Sequence, residues 1–177
     1  LAAREKRIAA LILMAGTGTS GKEAILEQQQ HLLDLAKVAE PDRTAKIALQ
    51  KKILEAAAAE QGWEALPPEV RPHVDTPWYR SLLMFDPALI MKDVKQPILV
   101  LQGALDRQVP AHHASRLAEL ARSRKNAPPV EEKTLPALNH LFVPAKTGDI
   151  AEYASLEART ISPEVARSVD EWLKTLP

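Results

Sequence analysis

The 177-residue chain contains no cysteine. This excludes disulfides, thiolate nucleophiles and zinc sites built on thiolates. The sequence also has no excess of one charge, because 23 lysine and arginine residues balance 23 aspartate and glutamate residues. A nucleic-acid-binding surface needs a basic excess, so we expect no nucleic-acid partner. No apolar run approaches the roughly 18 residues of a membrane span, and we expect no membrane segment in this sequence.

The composition that is present is that of an ordinary globular protein, with 46% hydrophobic and 26% charged residues. A chain of this length can bury on the order of two thirds of its unfolded surface. We therefore expect a folded chain of one domain and little more, without long disordered segments.

Short apolar runs alternate with helical patterns along the chain. We predict strands over 8–14, 98–101 and 129–135, and helices over 22–39, 43–61, 78–85, 87–91, 110–125 and 165–176. This alternation is typical of an α/β fold with a mostly parallel sheet. The run 98–101 is apolar at every position, which is typical of a strand covered on both faces.

Three regions follow from this pattern. Residues 1–21 supply a core strand and its exit loop, residues 22–95 form a helical insertion carried on the sheet, and residues 96–177 complete the core.

A polar residue that could take part in catalysis follows each of two successive predicted strands. Asp106 comes after the run Ile98-Leu-Val-Leu-Gln-Gly-Ala-Leu, and His140 lies in Leu135-Pro-Ala-Leu-Asn-His140-Leu-Phe. Alone, such an aspartate is more often a turn former and such a histidine a surface residue. The carboxyl ends of parallel strands meet at one edge of a sheet, however, where active sites of α/β proteins lie. The order Asp then His matches the last two members of a Ser-Asp-His triad.

The same segments resemble the α/β-hydrolase superfamily. The stretch 86–110 resembles its acid-bearing segment, and 135–142 resembles its histidine loop. The stretches 76–87 and 147–164 are similar to a bacterial branch of serine esterases related to serine aminopeptidases and prolyl-oligopeptidase-like hydrolases. The resemblance covers nearly the whole chain.

The resemblance implies an α/β-hydrolase fold with an inserted helical cap and a small-molecule ester or acyl substrate. Asp106 would orient the imidazole of His140, which would act as general base. Trp78, Tyr79 and Phe142 would line the substrate pocket. No cofactor and no metal would be needed.

The chain departs from the family at the nucleophile. The sequence has no G-x-S-x-G motif, since Ser20 follows the wrong strand and Ser81 falls inside a predicted helix. The resemblance implies that the chain is the carboxyl-terminal part of the enzyme, with the serine and the oxyanion donors encoded before Leu1. We therefore expect that this chain alone does not hydrolyse esters.

Three other functions stay open. The stretch Gly16–Lys22 nearly matches a phosphate-binding loop, although Glu23 stands where that motif has serine or threonine. A peptidase would need a carboxylate that holds a substrate amine, and Glu27, Glu55 and Glu60 are candidates. A non-catalytic binding module would need no serine.

His112 and His113 open a predicted helix, and we expect both to be solvent-exposed.

Overall fold

A computed structural model describes residues 1–176, which form two compact units. The first unit consists of Leu1–Gly18 and the chain from Pro87 onward, and the second is Thr19–Asp86. The second unit ends before the predicted boundary at residue 95. The reason is that Met91 and Val94 are buried in the apolar core of the first unit.

The elements follow one another in an α/β order. They are β1 (Leu11–Met14), α1 (Gly21–Leu35), α2 (Asp42–Ala59), a 3-10 turn (Trp63–Ala65), α3 (Arg71–Val74), α4 (Pro77–Met84), α5 (Pro87–Met91), β2 (Ile98–Gly103), α6 (His112–Arg122), β3 (Val130–Leu135), a second 3-10 turn (Ile150–Ser155) and α7 (Pro163–Leu173). The strands form one parallel sheet in the order β1-β2-β3. The predicted mixed α/β class with a parallel sheet is therefore confirmed. Among residues 1–176, no helix is both long and apolar enough to cross a lipid bilayer.

Strand β2 is the centre of the first unit, and all six of its residues are buried. Its side chains alternate between the two faces of the sheet. Ile98 and Val100 pack with residues of α6 on one side, while Leu99 and Leu101 pack with Trp172 of α7 on the other. Each such side chain contributes roughly 1.5–3 kcal/mol through burial. Burial of the strand on both faces therefore fixes the position from which the following turn begins.

Strand β1 differs from its prediction. It is shorter than the run 8–14, its first three residues are half-buried, and Met14 is 40% exposed. The physical reason is its place in the sheet. Among the described residues it pairs with β2 on one side only.

The second unit is helical. Leu54, Ala57 and Leu83 form a small buried cluster contributed by α2 and α4. The first residue of α1, Gly21, lies directly against the backbone of α4. Any side chain there would clash, because a Cβ at Gly21 would lie 2.0 Å from the carbonyl oxygen of Leu82. The close approach of the two backbones fixes the start of α1 against the end of α4.

Arg124 is a buried cation that holds several chain segments of the first unit together. Arg124 is 5% exposed. Its guanidinium donates hydrogen bonds to four backbone carbonyls, those of Ala121, Val94, Gln96 and Pro128. Burial lowers the pKa of Arg124 from its ordinary value. The side chain thereby ties the end of α6 to the segments that enter β2 and β3.

Replacing Arg124 with methionine should lower the free energy of unfolding of the first unit by about 3 kcal/mol. Methionine fills much of the space but leaves the buried carbonyls without donors. Urea unfolding followed by circular dichroism measures the change. Arg122 provides the control, because its exposed guanidinium lies 3.7 Å from Glu132 and Arg122→Met should cost less than about 1 kcal/mol. Equal stability losses in the two variants would contradict this account of Arg124.

Candidate functional site

Asp106 and His140 lie side by side in the first unit. The imidazole Nδ1 of His140 is 2.9 Å from the Oδ2 atom of Asp106. The Asp106 side chain is fully buried, while 28% of the His140 side chain is exposed. The turns after β2 and β3 thus bring together the two residues that the sequence analysis paired. One of the partners is shielded from water and the other is accessible.

The Asp106 carboxylate is held by four donors. Its Oδ1 atom accepts hydrogen bonds from the backbone N–H groups of Gln108 and Val109, at 2.9 and 2.8 Å. Its Oδ2 atom accepts one from the side-chain amide of Gln102 at 2.8 Å and one from His140. Every partner is a donor, which suits an ionised carboxylate. The carboxylate is therefore fixed in position and in orientation.

This geometry also determines the histidine tautomer. An ionised carboxylate can only accept, so Nδ1 of His140 carries the proton in the 2.9 Å contact. In the neutral imidazole, Nε2 is then the nitrogen with a free lone pair. A group that holds the ring in this way can accept a proton at Nε2 and be stabilised as imidazolium by Asp106.

The end of β2 and the turn after it lie directly against the histidine loop. A Cβ at Gly103 would lie 2.4 Å from the carbonyl oxygen of Leu138, and Leu105 donates a backbone hydrogen bond of 2.9 Å to that same oxygen. The two loops therefore pack on each other directly, which sets the distance between Asp106 and His140.

The histidine loop has its own internal bracing. The Asn139 side-chain oxygen accepts hydrogen bonds from the N–H groups of Leu141 and Val143, at 2.9 and 3.1 Å. Phe142 has a φ of 56°, a left-handed conformation that is uncommon for a bulky residue. Its side chain is 4% exposed and belongs to the core cluster that contains Trp172. Burial of Phe142 thus holds the loop in a conformation that would otherwise be disfavoured.

A second segment, residues 146–153, packs on the turn that carries Asp106. A Cβ at Gly148 would lie 1.7 Å from the carbonyl oxygen of Leu105, and the Gln108 side chain donates a 2.7 Å hydrogen bond to the Tyr153 hydroxyl. Burial, with a contribution from the negative charge of Asp106, raises the pKa of Tyr153, although the Gln108 bond acts in the opposite direction. The phenol therefore stays protonated at neutral pH.

Glu152 fixes the shape of this segment. Its carboxylate accepts hydrogen bonds from the backbone N–H groups of Lys146, Thr147 and Gly148 and from the Thr147 hydroxyl. These donors, led by the Lys146 N–H, lower the pKa of Glu152 from 4.5 to about 2. Since folding lowers the pKa, the contact stabilises the folded segment fully above pH 4.5. That stabilisation is lost as the pH falls toward 2.

Replacing Glu152 with glutamine should accelerate hydrogen exchange of the amides of residues 146–148 at neutral pH. The amide side chain has no charge and one fewer acceptor atom for those N–H groups. In the unchanged protein the same amides should lose protection only as the pH falls from 4.5 toward 2. Mass-spectrometric or NMR exchange measures both effects, with the exposed Glu157→Gln as control. Unaltered exchange in Glu152→Gln would refute this role.

The other predicted substrate residues lie in different surroundings. Trp78 is 72% exposed, and Tyr79 is half-buried against the cluster of Leu54 and Leu83, where burial raises its pKa. Both belong to the second unit, whereas Phe142 lies in the core of the first. Substrate binding by these three residues stays a prediction.

The expectation that His112 and His113 are both exposed is half wrong. His112 is exposed, but His113 is 1% exposed and its Nδ1 accepts a 3.0 Å hydrogen bond from the backbone N–H of Gly18. The physical reason is the position of His113 on α6, which turns it toward the loop after β1.

The glycine-rich stretch Gly16–Lys22 offers little to a phosphate. The side chain of Ser20 caps α1, and the Glu23 carboxylate accepts hydrogen bonds from the Ser20 hydroxyl and backbone N–H, at 2.7 and 2.9 Å. Those bonds, that from the side chain first, lower the pKa of Glu23. A negative charge therefore occupies the helix end that would have to face phosphate. The N–H of Gly18 is engaged by His113.

Sequence reasoning did not find Gln102, Gln108 or Glu152. Gln102 carried a usable signal, since it is the one polar residue after four aliphatic residues in a buried strand.

Comparison with protein-family models, with curated proteins and with solved structures gave no match.

Proposed function

We propose that Asp106 and His140 are the acid and the general base of a serine hydrolase of the α/β-hydrolase type that cleaves carboxylic esters. The observation that carries the proposal is the 2.9 Å contact between Nδ1 of the part-exposed imidazole and the fully buried carboxylate. The position of the pair, after successive strands of a parallel sheet, supports it.

The chemistry that suits this pair is acyl transfer in two steps. Nε2 of His140 takes the proton of a serine hydroxyl as its oxygen bonds to the ester carbonyl carbon, and then gives the proton to the departing alkoxide. Water then attacks the acyl-enzyme, passing a proton to Nε2, which returns it to the serine oxygen. Asp106 stabilises the imidazolium in both steps. The serine is proposed to lie outside this sequence, because the sequence has no G-x-S-x-G motif.

The helical unit Thr19–Asp86 is proposed to be the cap that the family resemblance implies. Its Trp78 keeps 72% of its surface exposed, which is unusual for so large an apolar side chain. We propose that Trp78 and its neighbour Tyr79 take part in substrate binding, as the family resemblance implies.

The deciding experiment is to sequence the coding DNA upstream of the Leu1 codon and to assay the polypeptide that the gene encodes. We expect a G-x-S-x-G motif, hydrolysis of p-nitrophenyl esters and covalent labelling by a fluorophosphonate. An upstream sequence without that serine, with no hydrolysis and no labelling, would remove the proposal and favour a non-catalytic binding module.

A further inference from the structure

Gln102 is a polar side chain in a strand that is otherwise built for the core. It follows Ile98-Leu99-Val100-Leu101, and its own exposed fraction is 0%. Its Nε2 atom donates to the Oδ2 atom of Asp106 and to the backbone carbonyl of Val109, each at 2.8 Å. The amide thus bridges the carboxylate and the far end of the turn that carries it.

The orientation of this amide follows from its partners. A carboxylate and a carbonyl can only accept, so the nitrogen faces them and the oxygen points away. Within residues 1–176, the Oε1 atom of Gln102 is buried without a hydrogen-bond partner. A buried acceptor without a partner is destabilising. The amide therefore serves its two acceptors, Asp106 and Val109, at the cost of one buried oxygen without a partner.

We infer that Gln102 is a positioning residue, which fixes the Asp106 carboxylate and moderates its pull on the Nδ1 proton of His140. Gln102 and His140 share one atom, Oδ2, as acceptor. The N–H of Gln102 places positive partial charge beside that oxygen and so weakens its attraction for the imidazolium. The N–H groups of Gln108 and Val109 hold Oδ1 while Gln102 holds Oδ2, and together they prevent rotation of the carboxylate. This inference rests on the proposed function.

The test is Gln102→Met, which keeps the length and apolar stem of the side chain but removes the donor. We expect the midpoint of the His140 titration, followed by NMR of ¹⁵N-labelled histidine, to move upward by about 0.5–1 pH unit, the size of one hydrogen bond. In the polypeptide that the gene encodes, kcat for a p-nitrophenyl ester should fall by about tenfold to a hundredfold through the looser geometry. KM should change little, because Gln102 is buried away from solvent.

Gln96→Met is the matched control. Gln96 is also a buried glutamine, 8% exposed, but it precedes β2 and its amide bonds to the backbone of Ala2 and Lys95. Its loss should lower stability without moving the His140 titration. Gln102→Leu serves as the second variant should the methionine form not fold.

An unmoved midpoint in the folded Gln102 variants, or an equal shift in Gln96→Met, would overturn the inference. The result is separable from the proposed function. A shifted midpoint in a polypeptide that cleaves no ester would support the role of Gln102 at Asp106 and reject the hydrolase. An active enzyme whose His140 midpoint and kcat are unchanged by the Gln102 substitutions would support the hydrolase and reject the role of Gln102.

Discussion

Replacing His140 with alanine should lower the kcat of ester hydrolysis by about 10⁶-fold in the polypeptide that the gene encodes. The reason is the single proton path that the site offers. Asp106 is buried and still bonded to the three other donors in this variant, so it cannot take over as base. Without the imidazole, the nucleophile keeps its proton and the leaving group receives none. Residual activity would come from binding and from oxyanion stabilisation alone.

Steady-state assays with p-nitrophenyl esters measure the effect, and fluorophosphonate labelling should slow in parallel. His73→Ala is the matched control, because His73 is an exposed histidine in the helical unit and should leave kcat unchanged. A His140→Ala variant with more than a tenth of the normal kcat would show that another group accepts the proton.

The pairing of Asp106 and His140 could be predicted because it depends on topology. Residues that follow neighbouring parallel strands end at one edge of the sheet, whatever the details of the loops. The aliphatic run 98–101 identified the central strand. A short turn after that strand is enough to bring Asp106 to the loop that follows β3. The 2.9 Å contact agrees with that reasoning.

The bracing of the site could not be predicted in the same way. Glu152 acts through a backbone turn whose N–H groups converge on one carboxylate, and no spacing rule in the sequence announces such a convergence. His113 was misjudged because its position on α6 turns it toward the backbone of Gly18, which lies far away along the chain. Such contacts are made by the tertiary fold, and local patterns carry little information about them.

The proposed catalytic role of Asp106 depends on which partners its carboxylate has, and Asp106→Asn tests this. An asparagine must place its NH₂ group either against the N–H groups of Gln108 and Val109 or against Gln102 and His140. Either choice sets donor against donor in a buried site. We expect the second, because there the imidazole can respond by changing its tautomer.

In that arrangement Nδ1 of His140 accepts from the new amide and the proton moves to Nε2, so the base is lost at the atom that must accept the nucleophile's proton. The kcat should fall by about 10⁴-fold, as expected when the wrong tautomer is imposed. The ¹⁵N chemical shifts of His140 should report a proton on Nε2 in the variant and on Nδ1 in the unchanged protein. Asp170→Asn, at an exposed pair with Lys174 on α7, should alter neither kcat nor the tautomer. A variant at Asp106 that keeps both the Nδ1 proton and its kcat would mean that the carboxylate only supports the turn, and that the imidazole is oriented by something else.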